Sequence, residues 1–319
     1  NPWRRSTAQR MLIERGDRGA RDPLVRLIRA EGTAPSGVIR ALQTLRSLKS
    51  LESSDVLVAL AHEDHGVRVH GLRLAGPWLD SDEALRSQLI RMNQDSDPGV
   101  RLQLAMTLGE SKDTWPVESL IDLAGKHGGD SWLAAAILSS SNNRNGGRLL
   151  LGLLGKIELS PGARALLEPL AKTVGGRRDG EQMAAALRLV SSLDTDLQKA
   201  CLAGFVGSVS RDGAPDSVDG WAALTRFLSS RDAQVRELAA KLSAKLPVAE
   251  GDRLAAMFAE AAETALEPGG ELAKRREALQ ILASAPFETL SPVASRLLDS
   301  RQPPSIQASA IAALGASGD

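Results

Sequence analysis

The sequence predicts an all-α protein, built as a right-handed α-α superhelix of about nine to ten stacked helix pairs. Three observations carry that expectation. Aromatic residues make up 3% of the 319, with no Tyr, while Leu and Ala dominate a hydrophobic fraction of 43%; this balance favours helices over strands, which draw on β-branched and aromatic residues. One short phrase recurs, an acidic residue followed three places later by an apolar residue that opens a helical run: "DSDPGVRLQLAMTLGE" from Asp95, "EDHGVRVHGLRLAG" from Glu63, "SLDTDLQKACLAGF" from Ser192 and "SRDAQVRELAAKLS" from Ser230. The interval between recurrences is nearly constant, the signature of a repeat architecture.

Taken in order, the opening apolar residues are Trp3, Val38, Val67, Val100, Trp132, Ala163, Leu197, Val235, a position near Lys274, and Ile306. They are spaced roughly 34 residues apart, a length that holds two helices and their turns. Small or apolar residues follow at plus four and plus seven or eight: Leu104 and Leu108 after Val100, Cys201 and Phe205 after Leu197, Ala239 and Leu242 after Val235, Ala310 and Leu314 after Ile306. That spacing gives each helix one apolar face. Between these anchors lies a second run, carried by Leu24, Leu27 and Ile28, Leu57 and Leu60, Leu85, Leu89 and Met92, then Leu120, Ile121 and Leu123, Leu150 and Leu154, Met183 and Leu187, Leu224 and Phe227, Leu254 and Phe258, and Leu290, Val293 and Leu297. Each unit is therefore a helix pair. Trp3 and Trp132, as anchors, are expected in the core, whereas Trp78, Trp115 and Trp221 flank turns, where a buried staple is the commoner fate and a partner surface the alternative.

Asp64, Asp97, Asp194 and Asp232 stand three residues before their anchors, where a carboxylate accepts the free N–H groups of a helix's first turn. Ser160 followed by Pro161 suits the same role. The acidic pairs Glu52 with Asp55, and Asp80 with Asp82, also fall at helix starts and read as caps. A basic residue follows many anchors, as Arg68, Arg101 and Arg236, so stacking aligns these arginines into a ladder whose natural partner is the capping Asp of the same or a neighbouring repeat. Outward polar residues on the second helices, His70, Arg73, Gln103 and Thr107, are the candidate contacts of a concave face. Turn-rich breaks at 142–147, 175–180, 211–220 and 267–270 separate the repeat units rather than domains. The whole of 1–319 reads as one array, more regular over 1–140 and degenerate over 141–319.

Helix pairs of this length with D-x-x-V-R before the second helix resemble HEAT repeats. The first part is similar to something narrower: "WRRSTAQRMLIERGD", "ALQTLRSL", "VRVHGLRLA", "DPGVRLQLAMTLGE" and "SWLAAAILSS" resemble the helical segment of bacterial PVC-type multidomain proteins described as membrane-bound dehydrogenases. That resemblance implies a periplasmic or extracytoplasmic protein, whose repeats link a dehydrogenase-like propeller to a c-type cytochrome domain. It carries over no catalytic residue.

Composition narrows the alternatives. Lys plus Arg and Asp plus Glu are equal at 39 each, which argues against nucleic acid and anionic membranes as partners. No run of 18 uncharged apolar residues offers a membrane span. The single Cys201 cannot form an internal disulfide, and its plus-four position marks it as a small buried hydrophobe. Histidines 62, 65 and 70 crowd one turn, but their spacing straddles a helix end, so they read as turn residues rather than metal ligands. No P-loop, G-x-S-x-G, H-E-x-x-H or dinucleotide fingerprint occurs. The start at Asn1 and two half-unit ends suggest a piece of a longer polypeptide. The expectation is thus a scaffold that is not an enzyme and needs no cofactor, docking a protein partner or adjoining domains of its own chain; the alternative is a DNA-binding solenoid.

Overall fold

The structure, a computed structural model, describes residues 2–142, 144–156, 158–177, 179–209, 221–245 and 248–316. Among these residues the backbone forms helices, turns and bends, and no strand. The fold is all-α. The expected break at 211–220 and the side chains of Trp221 and Leu254 lie outside the described residues.

The chain divides into two compact units, Asn1–Asn145 with Ser160–Ala163, and Gly146–Leu159 with Arg164–Asp319. The first holds α1 (Pro2–Arg15), α2 (Arg21–Arg29), α3 (Pro35–Ser47), α4 (Ser53–Leu60), α5 (His65–Leu74), α6 (Glu83–Arg91), α7 (Pro98–Leu108), α8 (Pro116–His127) and α9 (Ser131–Ser139), with 3₁₀ turns at Arg18–Ala20, Gly76–Trp78 and Met92–Gln94. Odd-numbered helices α1 to α9 pack each on the next as one row, and α2, α4 and α6 form the other. The second unit follows with α10 (Gly146–Leu154), α11 (Pro161–Ala165, begun in the first unit), α12 (Leu167–Gly175), α13 (Gly180–Val190), α14 (Thr195–Ser208), α15 (Trp221–Leu228), α16 (Ala233–Ser243), α17 (Val248–Leu266), α18 (Leu272–Leu282), α19 (Phe287–Leu297) and α20 (Pro304–Ala316). Here α12, α14 and α16 make one row and α10, α13 and α15 the other; α17 with α19 and α18 with α20 repeat the pattern.

The helices start where the carboxylates stand. Asp64, Asp97 and Asp194 accept from the N–H of Val67, Val100 and Leu197 respectively, each at 3.0 Å. Asp232 accepts from Gln234 and Val235 at 2.9 and 3.1 Å. Asp82, Asp130 and Asp179 cap α6, α9 and α13 in the same way. Such caps satisfy otherwise orphaned donors and contribute about 1 kcal/mol each.

Behind the caps the interior is aliphatic. Val38, Val67, Val100, Ala163, Val235 and Ile306 are buried, together with the plus-four and plus-seven residues Leu104, Leu108, Cys201, Phe205, Ala239 and Leu242. Two anchors depart from expectation. Trp3 and Trp132 are 71% and 76% exposed. In α9 the buried residue is Leu133, which stands three places after Asp130 and so occupies the register that Val100 holds after Asp97. Near Lys274 the anchor is Arg275, only 3% exposed; its Nε donates to the Ala265 carbonyl at 2.9 Å and its Nη2 to Gln302 Oε1 at 2.8 Å.

Candidate functional site

Each repeat is linked to the next by side chains of recurrent type. Arg68 on α5 places its fork on Asp95, with Nε to Oδ2 at 2.8 Å and Nη2 to Oδ1 at 2.9 Å. The expected partner of this arginine was a capping Asp; the structure gives it Asp95, two residues earlier. Both groups are well buried, and bidentate geometry gives the strongest form of such a pair. Arg101 then donates to the Asp95 carbonyl at 2.6 Å, and Arg236 to the equivalent Ser230 carbonyl at 2.8 Å. The ladder thus clasps the turn before α7 and before α16. The capping carboxylates serve the neighbouring repeat with their second oxygen: Asp97 Oδ2 lies 3.5 Å from His65 Nδ1, Asp194 Oδ2 3.4 Å from Arg164 Nη1, and Asp232 Oδ2 2.8 Å from Lys199 Nζ. The Lys199 hydrogen bond, with its charge, holds the Asp232 carboxyl below the usual range.

The paired acids of the sequence divide. Glu52 and Asp55 form a capping box at the start of α4, but Asp55 is fully buried and also receives Arg21 from α2, at 2.9 Å. Asp80 caps no helix; it accepts from the Ser111 hydroxyl and, at 2.9 Å, from the Lys112 N–H. Burial would raise its pKa, but these bonds and those from Trp115 and Asp113 outweigh burial and lower it.

The candidate contact residues lie on α5 and α7. Arg73 Nε donates to Gln103 Oε1 at 2.9 Å, joining neighbouring helices of the row. Gln103 in turn donates to Thr107 Oγ1 at 3.4 Å. Thr107 is not an outward contact: it is 1% exposed, and its hydroxyl donates to the Leu72 carbonyl at 3.2 Å. One repeat later Ser140 donates to the Ala105 carbonyl at 2.7 Å, so a short hydroxyl staples adjacent helices at the same register. His70 is half-buried; burial, then the charge of Arg73, lowers its pKa. On α7 and α9 of this row, large apolar side chains face outward, Met106 at 49% and Trp132 at 76% exposure.

Beside Arg73 is a cleft of about 320 Å³, lined by Arg46, Lys49, Arg73, Trp78 and Glu110, with Gly76 and Pro77 at its wall. The side chains of Arg46 and Lys49 make no hydrogen bond or ion pair among the described residues, and Arg73 is engaged only through Nε. Lys49 follows the C-cap Leu48 of α3 with φ of 55°, the left-handed region that normally takes glycine. Its N–H donates to the Arg46 carbonyl and that of Ser50 to the Leu45 carbonyl, the paired bonds of a Schellman motif. Glu110 lies against Gly76, where a Cβ would stand 2.8 Å from its Oε2. Arg46, Lys49 and Glu110 carry no motif or spacing that marks them in the sequence. The one signal available was a helix end, "LRSLKSLE", with Lys where a glycine belongs. The second unit has its own basic cleft of about 230 Å³, lined by Arg231, Arg236 and Arg276 beside Gln280 and Ser309.

Chemical groups elsewhere are occupied or dispersed. His62 Nδ1 accepts from the Asp64 N–H at 2.9 Å. Among the described residues, no group of three or more His, Cys, Asp or Glu could hold a metal ion. Cys201 is buried, and burial pushes its thiol up to about 12, far from the range of reactive thiolates. No helix is long and apolar enough to cross a membrane among the described residues.

No protein-family model matches the chain, and no curated protein matches it. Among solved structures, human deoxyhypusine hydroxylase in complex with glycerol matches over 96% of this chain and 97% of its own, at 15% identity and a TM-score of 0.30. That protein is an enzyme, a finding against the expectation that this chain is not one. A likeness at this level assigns neither an activity nor a residue to the present chain.

Proposed function

We propose that the chain is an interaction scaffold whose odd-numbered helix row in the first unit docks a protein partner or an adjoining domain of the same polypeptide. One observation carries the reading: Trp132, in an otherwise aliphatic repeat, stands 76% exposed on the same row as the exposed Met106 and the Arg73–Gln103 bridge. Trp, Met and Arg are the residues enriched at protein interfaces, and a few such anchors dominate binding. The right-handed superhelical stacking of the helix pairs is part of the proposal, supported by the two-row packing inside each unit. So is the kinship with PVC-type HEAT segments, an extracytoplasmic location, and a place between a dehydrogenase-like propeller and a c-type cytochrome domain; the repeat sequences quoted above support these.

The test is Trp132→Ala and Met106→Ala in the protein expressed from its own full-length gene, with hydrogen exchange read on α7 and α9. If the row docks a domain or partner, both helices are strongly protected relative to the isolated 319-residue chain, and Trp132→Ala releases that protection without moving the unfolding midpoint. Equal exchange in the two contexts would sink the proposal.

A further inference from the structure

We infer that the cleft between α3 and α5 is a binding site for a phosphomonoester dianion. The argument begins with charge. Three cationic side chains, Arg46, Lys49 and Arg73, line one cleft with a single carboxylate, Glu110, a local excess of two positive charges in a chain whose net charge is zero. Several cations elsewhere in this unit are paired, Arg68 on Asp95 and Arg21 on Asp55. Arg46 and Lys49 have no such partner, and the Nη pair of Arg73 is likewise uncommitted. Uncommitted guanidinium forks suit the planar, two-oxygen recognition of phosphate. A phosphomonoester carries about −1.5 to −2 charges near neutral pH, matching the excess, whereas a carboxylate or a phosphodiester carries about −1.

A second, independent observation is the backbone at Lys49. It is the one non-glycine residue with positive φ among the described residues, at a helix end where glycine would sit without strain. A non-glycine residue held in this conformation at the rim of a cleft points to a role for its side chain. The half-buried indole of Trp78 completes the wall and offers an apolar surface to whatever carries the phosphate. The space, about 320 Å³, accommodates a phosphoryl group with a short side chain or small metabolite, and it is far too small for a duplex groove.

Calorimetric titration of the 319-residue chain at low salt tests this with four probes: inorganic phosphate, N-acetyl-phosphoserine amide, N-acetyl-glutamate amide and a duplex DNA. The expected result is binding of the two phosphate probes at least about tenfold tighter than the glutamate probe, with Arg46→Ala and Arg73→Ala each weakening it by about tenfold. Lys49→Gly is expected to weaken binding and at the same time raise the unfolding midpoint, a pairing that a purely structural role does not give. Arg91→Ala, whose guanidinium bonds only Gln88, leaves binding unchanged. Tighter binding of phosphoserine than of inorganic phosphate identifies a phosphorylated protein as the source, and equal binding a free phosphate or small phosphoester. Indifference to Arg46→Ala and Arg73→Ala, equal affinity for the glutamate probe, or DNA as the tightest ligand would each overturn the inference.

Discussion

At the scale of single residues, the molecule places charge by helix geometry. Asp97, Asp194 and Asp232 each divide their two oxygens between their own helix and the neighbouring repeat, so one side chain serves both local capping and stacking. Half-buried His70 shows the opposite situation, a titratable group whose surroundings disfavour its charge. Its folded pKa lies below 6.5, because of burial first and Arg73 second. The folded form therefore takes up this proton less readily than the unfolded form, so stability present above 6.5 is lost as pH falls through that value toward the lowered folded one. Urea midpoints measured about a unit above and about a unit below 6.5 should converge when His70 is replaced by Gln; an unchanged difference would show that other groups carry the slope. Lys49, by contrast, is a stability cost of about 1 kcal/mol at one backbone position, and its replacement by glycine recovers that amount in denaturant titration.

At the scale of elements, two small residues set how closely helices approach. Gly71 on α5 would bring a Cβ within 3.1 Å of Ala59 and Leu60 on α4. The closer case is Gly204 on α14: a Cβ there would stand 2.4 Å from the Glu168 carbonyl and 2.8 Å from Lys172 N, both backbone atoms of α12. Backbone cannot swing aside as a side chain does, so Gly204→Ala must separate the two helices. The expected loss is about 2–3 kcal/mol in denaturant unfolding, with Gly207→Ala, which meets nothing within 4 Å, as the neutral control. Much of this level was legible beforehand. Val100, Leu104 and Leu108 announce a buried face by spacing, and Asp97 announces where the helix begins. What escaped was register where two apolar residues are adjacent: Trp132 and Leu133 both fit an apolar anchor, and only the count from Asp130 selects Leu133. The Arg46–Lys49–Arg73 cleft escaped because its residues come from separate repeats, and no local pattern records which side chains lack a partner. Thr107 looked outward on the helix wheel, yet its short hydroxyl finds a carbonyl on the preceding helix and is buried there.

At the scale of the whole molecule, 39 basic residues offset 39 acidic ones, and part of that balance is made by local pairs: Arg68 with Asp95, Lys199 with Asp232, Arg21 with Asp55. A chain without net charge lacks the mutual repulsion that keeps proteins apart in solution. Its solubility should pass through a minimum near neutral pH and recover on either side; a flat profile between mildly acidic and mildly basic buffer would contradict this. The absence of a global field also means that any preference for anions must come from a particular site, as in the cleft of the first unit, and not from long-range attraction.

The buried guanidinium of Arg275 has a consequence for descent. Arginine keeps its proton under all conditions that a folded protein meets, so the hairpin of α17 and α18 holds a permanent ion within an aliphatic interior, satisfied by the Ala265 carbonyl and Gln302. Losing Gln302 alone leaves the buried guanidinium with the Ala265 carbonyl but without its second partner; placing valine at 275 alone takes the Nη2 donor from Gln302 Oε1. In related sequences, positions 275 and 302 should therefore change together or not at all, a coupled substitution recording how a standard aliphatic repeat was converted into this one.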